Sequence, residues 1–503
     1  ATADRRLAQE LRIAETVAVM RKALTEGDLN AAFAARGRLL EEYVDAAQAP
    51  RVVEATAEIG AAAAKAVEFV AAATAAETTE PASPVVRRDT LLHYRHPSAS
   101  AAAADGEICL ASARGVVFAL EATTGKLRWR RDVGIDSRFA PQKIASSAGT
   151  VVVMDDVVRH ELVAVDAATG RLRYRVAIPS DDDAWLAVAA DRLLLTTGDG
   201  RLTIIDAADG RTTGVVRFPE ALVGESVADS REKVRYQLSR SGRLYVLDAR
   251  TFSCLEAVGL GYEAGQVALP PVCAGSYLLV IQTPPNGGSQ IRFFSIDAAG
   301  RSLKAVGVHR FDDAVRTPAR ISRKVAVVVG ERGGFAAFDL SRAEDAEPSI
   351  PMATRPAEGP SSELRFLSFP GNEIWSTDDE FRRFDLQPAV GKIMPLKAPP
   401  AHGKGIAAPQ TFGELVVDVR QDADGSLRVI AFKVAAHSLV SQSDLSPAVA
   451  AGPLYDTAAQ RVVVASSQHV FAPAVAAGQG GAVEPLAEFA PVASWSSLDR
   501  AAR

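Results

Sequence analysis

The stretch VVFALEATTGKLRWRR at 116–131 returns as ELVAVDAATGRLRYRV at 161–176, with strand, turn and strand in the same order. A repeated hairpin narrows the available folds more than any other feature, because each copy must stack on its neighbour to bury its apolar faces. Further copies are GRLTIIDAADGRTTGVV (200–216), GRLYVLDARTFSCLEAV (242–258), IRFFSIDAAGRSLKAV (291–306), GGFAAFDLSRAED (333–345) and EFRRFDLQPAVGKIMPL (380–396). An acidic residue closes the first strand of each: Glu121, Asp166, Asp206, Asp248, Asp297, Asp339 and Asp385. Their spacings are 45, 40, 42, 49, 42 and 46 residues.

The acid sits where strand meets turn, and its carboxylate can accept from the N–H groups of that turn. Gly125, Gly170 and Gly210 follow at an offset of four and supply the positive φ the turn needs. Trp129 and Tyr174, four further on, are expected to pack between neighbouring repeats. All of these are structural repeat anchors rather than catalytic groups.

A period in the mid-forties with four short strands marks a β-propeller blade. Seven clear copies are followed by a degraded one at 413–434, with Lys433 at the acid's place, and a partial one at 460–475. The expected fold is mainly β, an eight-bladed propeller. Nine blades is the alternative that the raw hairpin count allows.

Residues 1–75 carry a helical period instead. Leu7, Leu11, Ile13, Val17, Met20 and Leu24 fall mostly on one helical face. Glu26-Gly27-Asp28 breaks that helix, and Asp28 can cap a second running to about Val44. A third is expected from Val52 to Ala73. Residues 76–86, rich in Thr and Pro, read as a linker, 87–490 as the propeller and 491–503 as a tail.

Composition excludes some classes. Net charge is −5 with scattered basic residues, which argues against nucleic acid as a partner. No run of about 18 apolar residues indicates a transmembrane helix. Cys109, Cys254 and Cys273 are dispersed and form neither a disulfide framework nor a zinc site. The chain starts at Ala rather than Met, as expected of a trimmed form, so export stays open beside a cytoplasmic location.

The phrases ALEATTGKLRW, AVDAATGRLRY and IIDAADGR resemble the repeat of the pyrroloquinoline-quinone (PQQ)-like β-propellers, over about 87–480. EGDLNAAFAARGRLLEEYVDAAQAPRVVEATAEI resembles a tetratricopeptide unit, with a plain helical hairpin as the alternative. The combination looks like bacterial PQQ-like repeat proteins, some of which sit in the cell envelope. One non-catalytic relative is the lipoprotein subunit of the outer-membrane barrel-assembly machine. In the quinoprotein dehydrogenases the resemblance implies a quinone stacked between a tryptophan and adjacent disulfide-bonded cysteines, with calcium on Glu and Asn. No Cys-Cys pair exists here, and no matching Glu, Asn and Asp set can be placed.

Trp185 and Trp375 could face an axis, but packing roles suit them better. His93 and His96 lack a third ligand, Asp181-Asp182-Asp183 reads as a loop, and DADGS at 422–426 reads as a tight hairpin. GLGYEAG at 259–265 lacks the helix a dinucleotide loop requires. The expectation is therefore no catalytic, cofactor or metal site, and a scaffold or binding module taking protein partners in the periplasm or envelope. The alternative is a quinoprotein-type oxidoreductase with unrecognised ligands. A carbohydrate- or wall-binding propeller is a third option, weakened by 6% aromatic content.

Overall fold

The computed structural model describes residues 2–79, 92–95 and 107–446 apart from brief internal stretches, of which 134–138, 261–268, 298–302 and 342–346 are the longest. Of 447–503 it describes the backbone of four strands. The chain divides into two compact units. One holds 1–75, 179–363 and 388–392; the other holds 76–178, 364–387 and 393–503.

The first unit opens with α1 (Thr2–Thr25), α2 (Leu29–Glu42) and α3 (Pro50–Lys65). Asp28 caps α2 by accepting from Ala31 N at 2.9 Å, and Pro50 opens α3 where no N–H is needed. α3 stops at Lys65 rather than Ala73, and Glu68–Thr74 is a strand, β1. Leu7 and Leu11 also depart from expectation: both are exposed, whereas Val17 and Met20 are buried. At 24 residues α1 outruns α2 and α3, and the ion pair Arg12–Glu42 marks where α2 ends against it.

Four antiparallel sets of strands in chain order follow in this unit, for repeats three to six, and the last strand of repeat six also pairs in parallel, Thr354 opposite Lys392. They span Ala184–Arg217, Leu222–Gly259, Val272–Phe311 and Arg320–Arg355. Their second strands are buried on both faces. Those of repeats five and six are mostly apolar runs, whereas that of repeat four, Val234–Ser239, alternates apolar residues with buried Arg235, Gln237 and Ser239. Leu194, Ile204 and Val216 of repeat three pack with Tyr245, Leu247 and Phe252 of repeat four. Tyr236 and Val246 of repeat four pack with Leu278 and Val280 of repeat five, and Leu279 and Phe293 with Val328 and Phe338 of repeat six.

The second unit holds the sheets of repeats one (Ile108–Asp132), two (Gln142–Ala177), seven (Phe366–Gln387) and eight (Lys404–Ser446). Repeat one shows three strands. The strand Leu92–Arg95 pairs with the outer strand of repeat eight, and four strands between Ala451 and Glu488 form a further sheet. Repeat eight packs on repeat one: Val417, Val429 and Leu445 share a cluster with Cys109, Phe118 and Leu120.

Four of the anchors share one turn chemistry. Asp166 Oδ1 accepts from the N–H of Ala168 and Thr169 at 3.2 and 3.0 Å, and Asp248 Oδ1 from Arg250 and Thr251 at 3.0 and 2.8 Å. Asp206 takes the N–H of Ala208 and Asp339 that of Ser341, each at 2.8 Å. Glu121 reaches Thr124 Oγ1 and Arg128 instead, and Asp385 the side chain of Gln387. Gly125, Gly170 and Gly210 have φ of +66°, +68° and +75°.

A second regularity lies one strand further out. In six repeats the pairing of the third and outermost strands slips by one residue at the same place. The outer residue just before the slip is Trp129, Tyr174, Gly214, Glu256, Gly307 or Ser441. From that position Trp129 reaches the next repeat. Its Nε1 donates to Ala167 O at 2.8 Å, and a Cβ on Gly170 would stand 2.7 Å from its ring. Ser441 and Ser443 of repeat eight stand in the same relation to Gly125 of repeat one, with Ser443 Oγ donating to Gly125 O at 2.6 Å. In repeat three the sizes reverse. Gly214 is on the strand, and the turn of repeat four carries buried Phe252 at φ +57°.

Candidate interaction surface

A buried polar cluster lies between repeats seven and eight. Arg420, fully buried, donates Nε to His402 O at 2.9 Å and Nη1 to Thr377 Oγ1 and Asp418 Oδ2 at 2.8 and 3.0 Å. Its Nη2 donates to Asp378 O and Asp379 O at 3.0 Å. The guanidinium is thus saturated by the protein. Burial pushes the Asp418 carboxyl up to about 6, against the pull of Arg420 and Thr377. Both side chains are fully buried and bonded to repeat seven, so the cluster serves as a tie between two sheets. The charged pair inside the apolar run LVVDVRQ was its only sequence signal, and motif reading passed over it.

Other reactive candidates are equally enclosed or engaged. The Cys109 thiol is buried and pushed up to about 12, and Cys254 and Cys273, half-buried, to about 12 and about 11, so none is a thiolate near neutrality. Trp375 is buried against Phe381, Val416 and Phe432, and Trp185 is half-buried on the first strand of repeat three. All three cysteines are free, so no disulfide is present for a quinone to stack on, and these residues do not fit that cofactor. Among the described residues no three His, Cys, Asp or Glu side chains cluster as metal ligands. Asp183 pairs with Arg240, and Asp422 with Arg428 at 3.2 Å. Asp181, Asp182, His96 and residues 261–268 lie outside the described residues, as does the side chain of His93.

The helices rest on repeat four through α2 and α3. α3 seats Gly60 on the outer strand of repeat four, where a Cβ would stand 2.7 Å from Ala257 O. α2 lays Phe33 over Gly259, with the Arg243 guanidinium 5.0 Å from the ring centre. Arg243 also pairs with Glu220 at 3.1 Å and donates to Asn30. This buried joint fixes the helices to the sheet. It leaves Leu7, Leu11, Ala14 and Ala18 exposed along one face of α1, with Val53 exposed on α3.

The sequence-named anchors line the repeat joints and turns, not a shared pocket. Trp129 and Tyr174 are buried. β1 adds a fifth strand to repeat three, pairing antiparallel with Thr212–Arg217. Arg175 holds the chain beyond it, through Glu77 at 2.5 Å and the carbonyl of Thr79 at 3.1 Å.

Antiparallel sheets joined by acid-to-glycine hairpins define a β-propeller protein of PQQ-like repeats. Residues 113–387, more than half the chain, match the family described as outer membrane protein assembly factor BamB. The chain belongs to that family. No curated protein matches it in sequence. Among solved structures, BamB from Moraxella catarrhalis is similar at 16% identity and TM-score 0.46, over 68% of this chain and 96% of that one. The computationally designed Ika8 protein gives 14%, 0.46, 68% and 93% for the same measures. The dihydro-heme d1 dehydrogenase NirN, in complex with DHE, gives 12%, 0.46, 64% and 70%.

Among the described residues no helix is long and apolar enough to cross a membrane.

Proposed function

We propose that this chain is a non-catalytic β-propeller scaffold that binds protein partners and serves assembly in the bacterial envelope. Membership of the assembly-factor family is the observation that carries this reading. The sealed polar cluster and raised thiols support it, since the chemistry found is structural. The helices supply an exposed partner surface on a rigid base, where loops and appended elements vary without disturbing the blades.

Eight repeats form the working ring in this reading, with the sheet after Ala451 as an addition. The support is the joint from repeat eight to repeat one, which repeats the strand-on-turn relation of repeats one and two.

The test is removal of the protein from its host, followed by quantification of outer-membrane barrel proteins. A fall of several-fold supports the assembly role, and unchanged levels refute it. Titration of the purified protein with PQQ and calcium addresses the oxidoreductase alternative. Micromolar binding with dye-linked turnover would overturn the scaffold reading.

A further inference from the structure

Repeat three lacks the ring that repeats one and two carry on their outermost strands. At the position of Trp129 and Tyr174 it has Gly214, and the ring there comes from elsewhere: a Cβ on Gly214 would stand 2.5 Å from Phe69 of β1. β1 is placed by its backbone ladder, with Glu68, Phe69, Val70 and Ala71 opposite Arg217, Val216, Val215 and Gly214. None of its seven residues is buried, and Phe69 itself is 43% exposed. Its ladder is interrupted between Ala71 and Thr74, and it contains three consecutive alanines, residues of low strand propensity. An edge strand held this way loses little when another strand replaces it, because the ladder bonds are exchanged one for one.

We propose that the outer edge of Thr212–Arg217 is a strand-acceptor site that β1 occupies in its absence of a partner, and that an extended segment of a partner protein exchanges for β1. The segment this edge selects has an aromatic residue over Gly214, preceded by an acidic residue. Arg217 stands opposite Glu68 in the ladder, so an arginine lies in register where that acid falls. β-branched residues where β1 has Ala71, Ala72 and Ala73 would outcompete those alanines. The inference deepens the reading of the chain as a binding module and rests on it.

The test uses the full chain and a labelled peptide of residues 67–74, acetyl-Val-Glu-Phe-Val-Ala-Ala-Ala-Thr-amide. Successive amides alternate between strand edges, so Val70→Pro with Ala71→Pro removes a ladder donor from β1 in either phase. This variant is expected to bind the peptide with Kd in the micromolar range. The intact chain should bind at least about ten-fold more weakly, because tethered β1 competes at roughly millimolar effective concentration. A peptide with Ala for Phe69 should lose about ten-fold. A folded variant that ignores the peptide, or binds a scrambled one equally, overturns the proposal. Should the variant not fold, hydrogen exchange on the intact chain decides. Amides of β1 exchanging about a hundred-fold faster than those of Arg192–Thr197 support exchange, and equal protection refutes it. Peptide binding is independent of barrel-protein levels in the host, so failure of this site and failure of the assembly role are separable.

Discussion

At the scale of single residues, the joint of Trp129 and Gly170 combines three requirements: a positive φ, absence of a Cβ, and an indole N–H with a carbonyl to meet. Trp129→Ala removes a buried ring and its hydrogen bond, and is expected to cost about 3–5 kcal/mol in urea unfolding. Gly170→Ala should cost about 1–3 kcal/mol through strain at φ +68° and contact with the ring. The two losses should not add, since removing the ring removes the clash. The carboxylates divide by sign. Hydrogen bonds from Arg173 and Thr169 hold Asp166 low, and the Thr251 N–H holds Asp248 low. Their stabilisation is present above the unfolded pKa and is lost as pH falls through the folded one. Asp418 is raised to about 6, so its contribution is complete below about pH 4 and disappears as pH rises to about 6. The stability difference between the protein and Asp418→Asn, followed by urea unfolding from pH 4 to 8, should therefore shift by roughly 2–3 kcal/mol within that window. A flat difference would show that Asp418 is ionised throughout.

Among elements, the repeat hairpins were legible because their cause is local. An acid, a glycine at an offset of four and two apolar strands specify one turn without help from the rest of the chain. β1 was not legible. VEFVAAAT continues an alanine-rich run that reads as helix, and it becomes a strand because an edge with unpaired amides and the space at Gly214 lies beside it. The exposure of Leu7 and Leu11 was hidden for a related reason: periodicity gives a helix's apolar face but not the lengths of the helices that cover it. The Arg420 cluster escaped because its partners come from strands about forty residues apart and from backbone carbonyls, which leave no motif. The seat of α3 depends on one glycine. Gly60→Val places side-chain atoms against Ala257 O and should destabilise docking by about 1–3 kcal/mol. Faster hydrogen exchange across Pro50–Lys65 and Arg243–Gly259, with repeats one and two unchanged, is the expected result. Unaltered protection of both segments would mean that the helix shifts at little cost.

For the whole molecule, a repeat array is stable only as far as each sheet has a neighbour, so the first and last repeats decide whether the array has ends. Repeat one finds its neighbour in repeat eight. Cys109, Phe118 and Leu120 are buried with Val417, Val429 and Leu445, and the Gln410 carboxamide takes the place of a strand on Leu110. Contacts some three hundred residues apart are slow to form, because the intervening chain must be ordered before they contribute. Removal of residues after 403 should therefore damage the start of the propeller more than its middle. Cys109 reports this directly, since burial makes its thiol both inaccessible and weakly acidic. In the full chain it should resist a thiol reagent at pH 8 for as long as the protein stays folded. In the truncated chain it should react within minutes, while Cys254 and Cys273, in repeats four and five, keep their original rates. Equal protection of Cys109 in both chains would show that repeat one holds its core without repeat eight, and would remove the main support for a closed ring.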